Sequence, residues 1–289
     1  MPGVRLEHVR LESSTGDSAQ ASDDRTDINP SLHILYTLRD DLSLHAAVSR
    51  AVNRPKFDEL APFEEDKGDR FVVGNPDLDP ATAWNYDIGA EYVRPDLFLG
   101  LNLFYKDIKD VIEEVDSGID QADKDVYRVE NVGDGWTAGI ELEQRIGFAW
   151  TGKAALEGLA LWSNQTFLDS ELEDQNGDKR PFKQQPDYLL NAGIDYRIVP
   201  WGTTLSAAWN MIPELHETKP DGTKTTTDSQ NFLDLAIRQQ VAANLSFFFE
   251  AQNVLDEDKQ DTEIKLNGDV DRKTESPGRT ILAGLEMRF

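Results

Sequence analysis

Side chains along this chain alternate between apolar and polar, segment after segment, and that periodicity leaves few folds open. From Ala83 onward, Trp84, Tyr86, Ile88, Ala90 and Tyr92 fall on one side of an extended backbone, with Asn85, Asp87, Gly89 and Glu91 on the other. A period of two means strands with one apolar and one polar face. The pattern recurs in Leu97–Tyr105, Trp136–Ile146, Tyr188–Tyr196 and Ile281–Phe289. About twelve strands are expected in all. They are 4–11, 31–38, 42–52, 83–93, 97–111, 136–146, 155–167, 187–198, 203–212, 232–239, 244–254 and 279–289.

The connections sort by length. Turns near 40, 95, 151, 200 and 241 are short, while loops near 20, 65, 123, 176, 221 and 266 are long. An antiparallel barrel crossing a membrane has short turns at one end and long loops at the other. A soluble sandwich has no reason to segregate them. The polar face carries Asp87, Glu91, Glu141, Glu143, Asp195, Glu250 and Glu286 and must meet water, so the apolar face meets lipid or a second sheet. Trp150 and Trp201 flank short turns and Trp84 opens a strand at the opposite end, as interfacial girdles would. No run of about 20 apolar residues exists for a spanning helix. The mean hydropathy of −0.53 is compatible with barrel strands, which need apolar residues on one face only.

Charge and composition exclude other classes. A net charge of −25 opposes nucleic-acid binding, which needs a basic patch. The acidity concentrates in expected loops, at Glu64-Glu65-Asp66, 171–178 and 256–258. With no cysteine there is no disulfide and no thiolate metal site. His8, His33, His45 and His216 are scattered, without ligand spacing, so no metal or cofactor is expected. No G-x-S-x-G elbow occurs. Glu141 and Glu143 share a strand face by periodicity and are expected to be a hydrated wall rather than an acid/base pair. Asp174, Asn176 and Asp178 mimic half a calcium loop, but Lys179 and Gln185 stand where the motif needs Gly and Glu. That segment is expected to be a hairpin tip. No catalytic residue is assigned.

The segment 49–92 carries Pro55, Pro62, Pro76 and Pro80, which argue against helix or central strand in its loop. Its sequence, RPKFDELAPF followed by GNPDLDPATAWNYDIGAEY, resembles the RPxFxxLxP and GNPxLxPExxxNxxxGxEY segment of TonB-dependent outer-membrane receptors. GLNLFYKDIKDVI (100–112), VENVGDGWTAGIELE (129–143), FFFEAQNVLDEDKQ (247–260) and SPGRTILAGLEMRF (276–289) resemble further segments of that family, in its order. Ala81 departs from the pattern, where the family usually has Glu. The alternating last strand ending on Phe289 resembles the assembly signal of bacterial barrel proteins.

The resemblance implies an all-β fold, an antiparallel transmembrane β-barrel domain over 1–289. It covers the C-terminal half of a barrel of about 22 strands. It implies a receptor, not an enzyme, in the outer membrane of a Gram-negative cell. Its partners would be membrane lipid and lipopolysaccharide, and, in a full-length receptor, a plug domain and TonB. The ligand would be a siderophore, cobalamin, haem or carbohydrate. Ligand contacts are expected in the loops 59–73, 113–135, 169–185, 213–230 and 256–277, with Phe63, Arg70 and Phe71 as candidates. Met1 leads into Gly3-Val4-Arg5-Leu6 without a basic and then apolar leader, and neither plug nor TonB-contacting box is seen before the first strand. The expectation is a fragment of a receptor or a truncated product. The alternatives are a passive or autotransporter-like pore of about twelve strands, and a soluble β-rich binding protein.

Overall fold

The computed structural model describes residues 1–15, 19–68, 70–122, 124–218, 223–265 and 268–287, with the backbone alone for 11–15 and 19–23. The expected terminal Phe289, the Asp221-Gly222 turn and Asn267 lie outside the described residues.

Among the described residues nineteen strands appear in chain order. They are β1 Pro2–Thr15, β2 Ala19–Arg39, β3 Leu42–Asn53, β4 Glu64–Asp66, β5 Arg70–Val73, β6 Ala81–Arg94, β7 Leu97–Gln121, β8 Lys124–Gly147, β9 Leu159–Asp174 and β10 Lys179–Arg180. The rest are β11 Tyr188–Ile198, β12 Thr203–Ile212, β13 Leu215–Thr218, β14 Lys224–Thr227, β15 Gln230–Ala242, β16 Leu245–Gln252, β17 Lys259–Ile264, β18 Val270–Glu275 and β19 Thr280–Met287. One α-helical turn, α1, spans Phe57–Leu60, and short 3-10 turns lie at Ala149–Thr151 and Val199–Trp201.

Twelve strands form one antiparallel wall in the order β1-β2-β3-β6-β7-β8-β9-β11-β12-β15-β16-β19, each beside its neighbour in sequence. These are the twelve strands expected from the alternation. In the described structure β1 and β19 end the path and do not pair with each other. The register fixes two faces. Tyr86 stands opposite Tyr105, Ile88 opposite Leu103 and Ala90 opposite Leu101 on one face. Asn102 opposite Glu141 and Gly100 opposite Glu143 share the other. The apolar face is uncovered: Ile88 is 59% exposed and Ile140 43%. A soluble sheet would bury such residues, whereas lipid covers them in a barrel.

Three expectations change. The long loops are largely strand. β7 and β8 run on as a hairpin to Gln121 and from Lys124, where 113–135 was expected to be loop. A strand of 25 residues extends roughly 80 Å, far more than a tilted span of about ten residues needs. The extension therefore stands outside the membrane. Its strand character was hidden by bulges at 108–112 and 116–119, with Asp110 and Gly118 in left-handed conformation. Second, the proline-rich loop does hold a helical turn and strands. Pro55 and Pro62 lie outside α1, and β5 pairs in parallel with 125–128 of β8. Third, 155–158 belong to the turn, and β9 starts at Leu159.

The buried core is small and sits in the outer-loop region. Leu60, Val72, Leu78 and Val129 pack together with Ile112 and Tyr127 against them. Leu172 and Ala61 are fully enclosed. A Cβ on Gly74 would fall 2.2 Å from the Ala61 carbonyl oxygen, so only glycine lets this loop close. β13, β14, β17 and β18 form a second, separate antiparallel sheet from the two last long loops.

Candidate ligand-facing surface

The polar face of the wall carries several separate hydrogen-bonded groups. Asn102 donates to Glu141 at 3.1 Å and meets His45 Nε2 at 3.3 Å. Arg145 reaches Asp195 at 3.3 Å, and Ser206 donates to the same carboxylate at 2.7 Å. Arg238 pairs with Glu286. Glu141 and Glu143 share this face with Asn102 and Gly100, as the period of two requires.

The outer loops are tied to the β7–β8 hairpin by charge. Arg70 donates to Glu114 through Nε at 3.0 Å and an amino nitrogen at 2.9 Å, with its guanidinium 5.5 Å from the centre of the Tyr127 ring. Arg180 at 2.6 Å and Lys183 at 3.0 Å converge on Glu113. Lys124 holds Asp66 at 2.7 Å, and that bond keeps the Asp66 carboxyl below the usual range. The 174–178 segment is a hairpin tip. The Asp174 carboxylate accepts the amides of Asn176 at 2.8 Å and Asp178 at 2.9 Å, and its pKa is lowered by those donors, Asp178 foremost. Among the described residues no cluster of His, Cys, Asp and Glu could hold a metal.

A cavity of about 650 Å³ opens between these loops and the second sheet. Arg70, Gln184 and Gln185 approach from one side, Leu189 and Ile212 from the tops of β11 and β12, and His216, Lys259, Arg272 and Lys273 from the second sheet. Glu217, Asp261, Glu263 and Asp271 add four carboxylates, as many as the lysines and arginines of the lining. Of the three candidates from the sequence, Arg70 alone lines this cavity. Phe71 lies under the Lys124 ammonium, 5.1 Å from its ring centre, and Phe63 is 39% exposed beside the β4–β5 hairpin. The contributors from 215–273 carry no local signal. They reach the cavity only because β14 pairs with β17 across more than 30 residues of chain.

The family model for the β-barrel of TonB-dependent receptor-like proteins matches residues 1–254. The chain belongs to this family. Among curated proteins it is 25% identical over 277 residues to an iron-regulated outer membrane virulence protein of Vibrio cholerae, covering 90% of this chain and 39% of that protein. It is 26% identical over 214 residues to a ferric enterobactin receptor of Pseudomonas aeruginosa, covering 68% of this chain and 26% of that one. Solved structures share the fold. The P. aeruginosa ferric enterobactin receptor in complex with enterobactin superposes with a TM-score of 0.66 at 19% identity, covering 99% of this chain and 43% of that one. The FrpB iron transporter of Neisseria meningitidis gives 0.66 at 14% identity, covering 100% and 42%.

The chain therefore spans about two fifths of the length of the first curated relatives it matches. As a TonB-dependent receptor barrel it is an outer-membrane protein of a family of receptors rather than enzymes. Its apolar face is the lipid face and its polar face the lumen. The short turns mark the periplasmic end and the β7–β8 extension the outside. Tyr86, Tyr105 and Trp136 form an outer aromatic cluster, with ring centres 6.3 and 6.1 Å apart. Trp150 and Trp201, 71% and 70% exposed, stand at the periplasmic end. Trp150 and Trp201 stand where expected, and Trp84, the tryptophan expected at the outer end, lies level with Trp136 on the same face.

Proposed function

We propose that this chain supplies part of the wall and of the outer ligand surface of a TonB-dependent receptor that imports a ferric siderophore. The observation that carries the reading is the cavity at the outer mouth. It sets Arg70, Lys259, Arg272 and Lys273 among the carboxylates of Glu217, Asp261, Glu263 and Asp271, a charge-balanced lining in a protein whose net charge is −25. An anionic ligand meets less repulsion at such a mouth than an overall charge of −25 would impose on average. Relatives named as enterobactin receptors support the siderophore class.

In this reading a plug domain fills the lumen, contacting groups such as Asn102, Glu141 and Arg145, and TonB draws on the proton-motive force to open it. Lipid and lipopolysaccharide surround the apolar face, held at the two aromatic levels. The test is growth of a receptor-deletion strain on single ferric siderophores as sole iron source, complemented by the full receptor. Growth that requires TonB and falls with Arg70→Ala supports the reading. Uptake independent of TonB, with steady conductance in planar bilayers, would replace it with a passive pore.

A further inference from the structure

The cations of the outer cavity are largely committed to the protein's own carboxylates. Arg70 pairs with Glu114 at 2.9 Å, Lys259 with Asp261 at 3.3 Å and Lys273 with Glu275 at 2.9 Å. Arg272 alone of the four has no carboxylate partner among the described residues. Of the lining carboxylates, Asp271 is met by Lys265 at 3.1 Å. With these partners counted alongside the lining, carboxylates outnumber lysines and arginines.

The second sheet concentrates the negative charge. Its register sets Glu217 opposite Thr225, Thr225 opposite Glu263 and Glu263 opposite Asp271. Three carboxylates therefore cross the sheet in one row of the cavity lining. Neighbouring strands lie about 5 Å apart, so an anion above that row is repelled by all of them at once. Neutral donors stand opposite, as the carboxamides of Gln184 and Gln185. Gln184 is held at φ 56°, in the left-handed region that side chains rarely adopt, and such strain collects at binding sites.

We propose, resting on the siderophore reading, that the ligand is an electroneutral ferric tris-hydroxamate rather than a ferric tris-catecholate. Iron(III) bound by three doubly ionised catechols keeps three negative charges. Bound by three singly ionised hydroxamates it keeps none. The catecholate complex would bring its charge against Glu217, Glu263 and Asp271, with Arg272 the one lining arginine or lysine not already paired among the described residues. The hydroxamate complex meets no such opposition. Its oxygens still accept hydrogen bonds, and carboxamide N–H groups satisfy them without a cation. Its aliphatic arms suit Leu189 and Ile212, and about 650 Å³ is a size that small-molecule ligands fill.

The test is binding to the full receptor in detergent, read as quenching of tryptophan fluorescence. The probes are ferrichrome and ferrioxamine E, both neutral tris-hydroxamates, and ferric enterobactin, a tris-catecholate. A neutral complex should bind roughly tenfold or more tighter than ferric enterobactin. Its affinity should change less than about twofold between about 50 and about 500 mM salt, since screening acts on charged ligands. Glu217→Gln combined with Asp271→Asn, with folding checked by heat-modifiable gel mobility, should shift the preference about tenfold toward ferric enterobactin. Should that variant not fold, the salt series on the unsubstituted receptor decides. Tighter binding of ferric enterobactin, strong salt dependence of the neutral complex, or an unmoved preference in the folded variant would overturn the proposal and leave the siderophore reading standing. Binding of none of the three overturns the proposal too, and the siderophore reading falls with it only if no ferric siderophore supports growth.

Discussion

The Trp162 indole occupies the place where a Cβ on Gly193 would stand: that atom would fall 2.2 Å from Trp162 Cζ2. The two residues face each other across β9 and β11 on the lumen side. Phe104 covers Gly139 and Phe248 covers Gly284 in the same way, each ring 2.6 Å from the virtual Cβ. An aromatic ring laid over a cross-strand glycine fills the gap the glycine leaves and pins the register. Gly193→Ala should displace the indole and destabilise the wall by about 1–3 kcal/mol, the usual cost of overpacking. Unfolding in urea, followed by tryptophan fluorescence, checks it.

Lipid face and lumen face are distinguished by substitution at one depth. Leu101→Arg should cost roughly 2–4 kcal/mol, because the charge enters hydrocarbon. Asn102→Arg, one residue along and facing the lumen, should leave assembly intact. Heat-modifiable mobility and the yield of folded protein in outer membranes measure both. Equal tolerance of the two would contradict the assigned faces.

The small outer core should fail locally rather than globally. Leu78, 2% exposed, holds the proline-rich loop on the β7–β8 extension. Leu78→Ala should cost about 2–5 kcal/mol. The loss falls on the loop, so limited proteolysis should cut within 54–80 while the wall keeps its folded mobility.

Asp174 gives a pH dependence with a defined sign. Its folded pKa is below the ordinary value because the Asp178 and Asn176 amides stabilise the carboxylate. The contribution is therefore complete above the unfolded pKa of about 4 and is lost as pH falls through the depressed folded value. NMR titration of the Asp174 carboxyl should give a midpoint below that of an exposed aspartate. Asp174→Ala should loosen the tip at neutral pH and speed trypsin cleavage after Lys179.

Asp110 runs the other way. Burial, followed by the charges of Asp134 and Asp79, raises its pKa, so its ionised form opposes folding and stability rises as pH falls through the folded value. Asp110→Asn removes that charge and still tolerates the left-handed φ of 57°. A gain under about 0.5 kcal/mol is expected after solvent screening, read as a small rise in the thermal midpoint.

The sequence by itself determined the twelve wall strands, their antiparallel order and which residues share a face. Each follows from a period-two pattern, such as Tyr86, Ile88 and Ala90 against Asp87 and Gly89, in which one residue predicts the environment of the next but one. It also offered Arg70 as one of three candidate ligand contacts in a long loop. It did not disclose that 113–135 is a hairpin, because bulges at Asp110 and Gly118 break the period where no lipid enforces it. Nor did it separate Arg70 from Phe63 and Phe71, since adjacent loop residues diverge only once β5 docks on β8. The cavity was decided by tertiary structure alone. Lys259, Arg272 and Lys273 line the same cavity as Arg70 because distant loops pair into a second sheet, and such pairing depends on contacts far apart in sequence that no local period encodes.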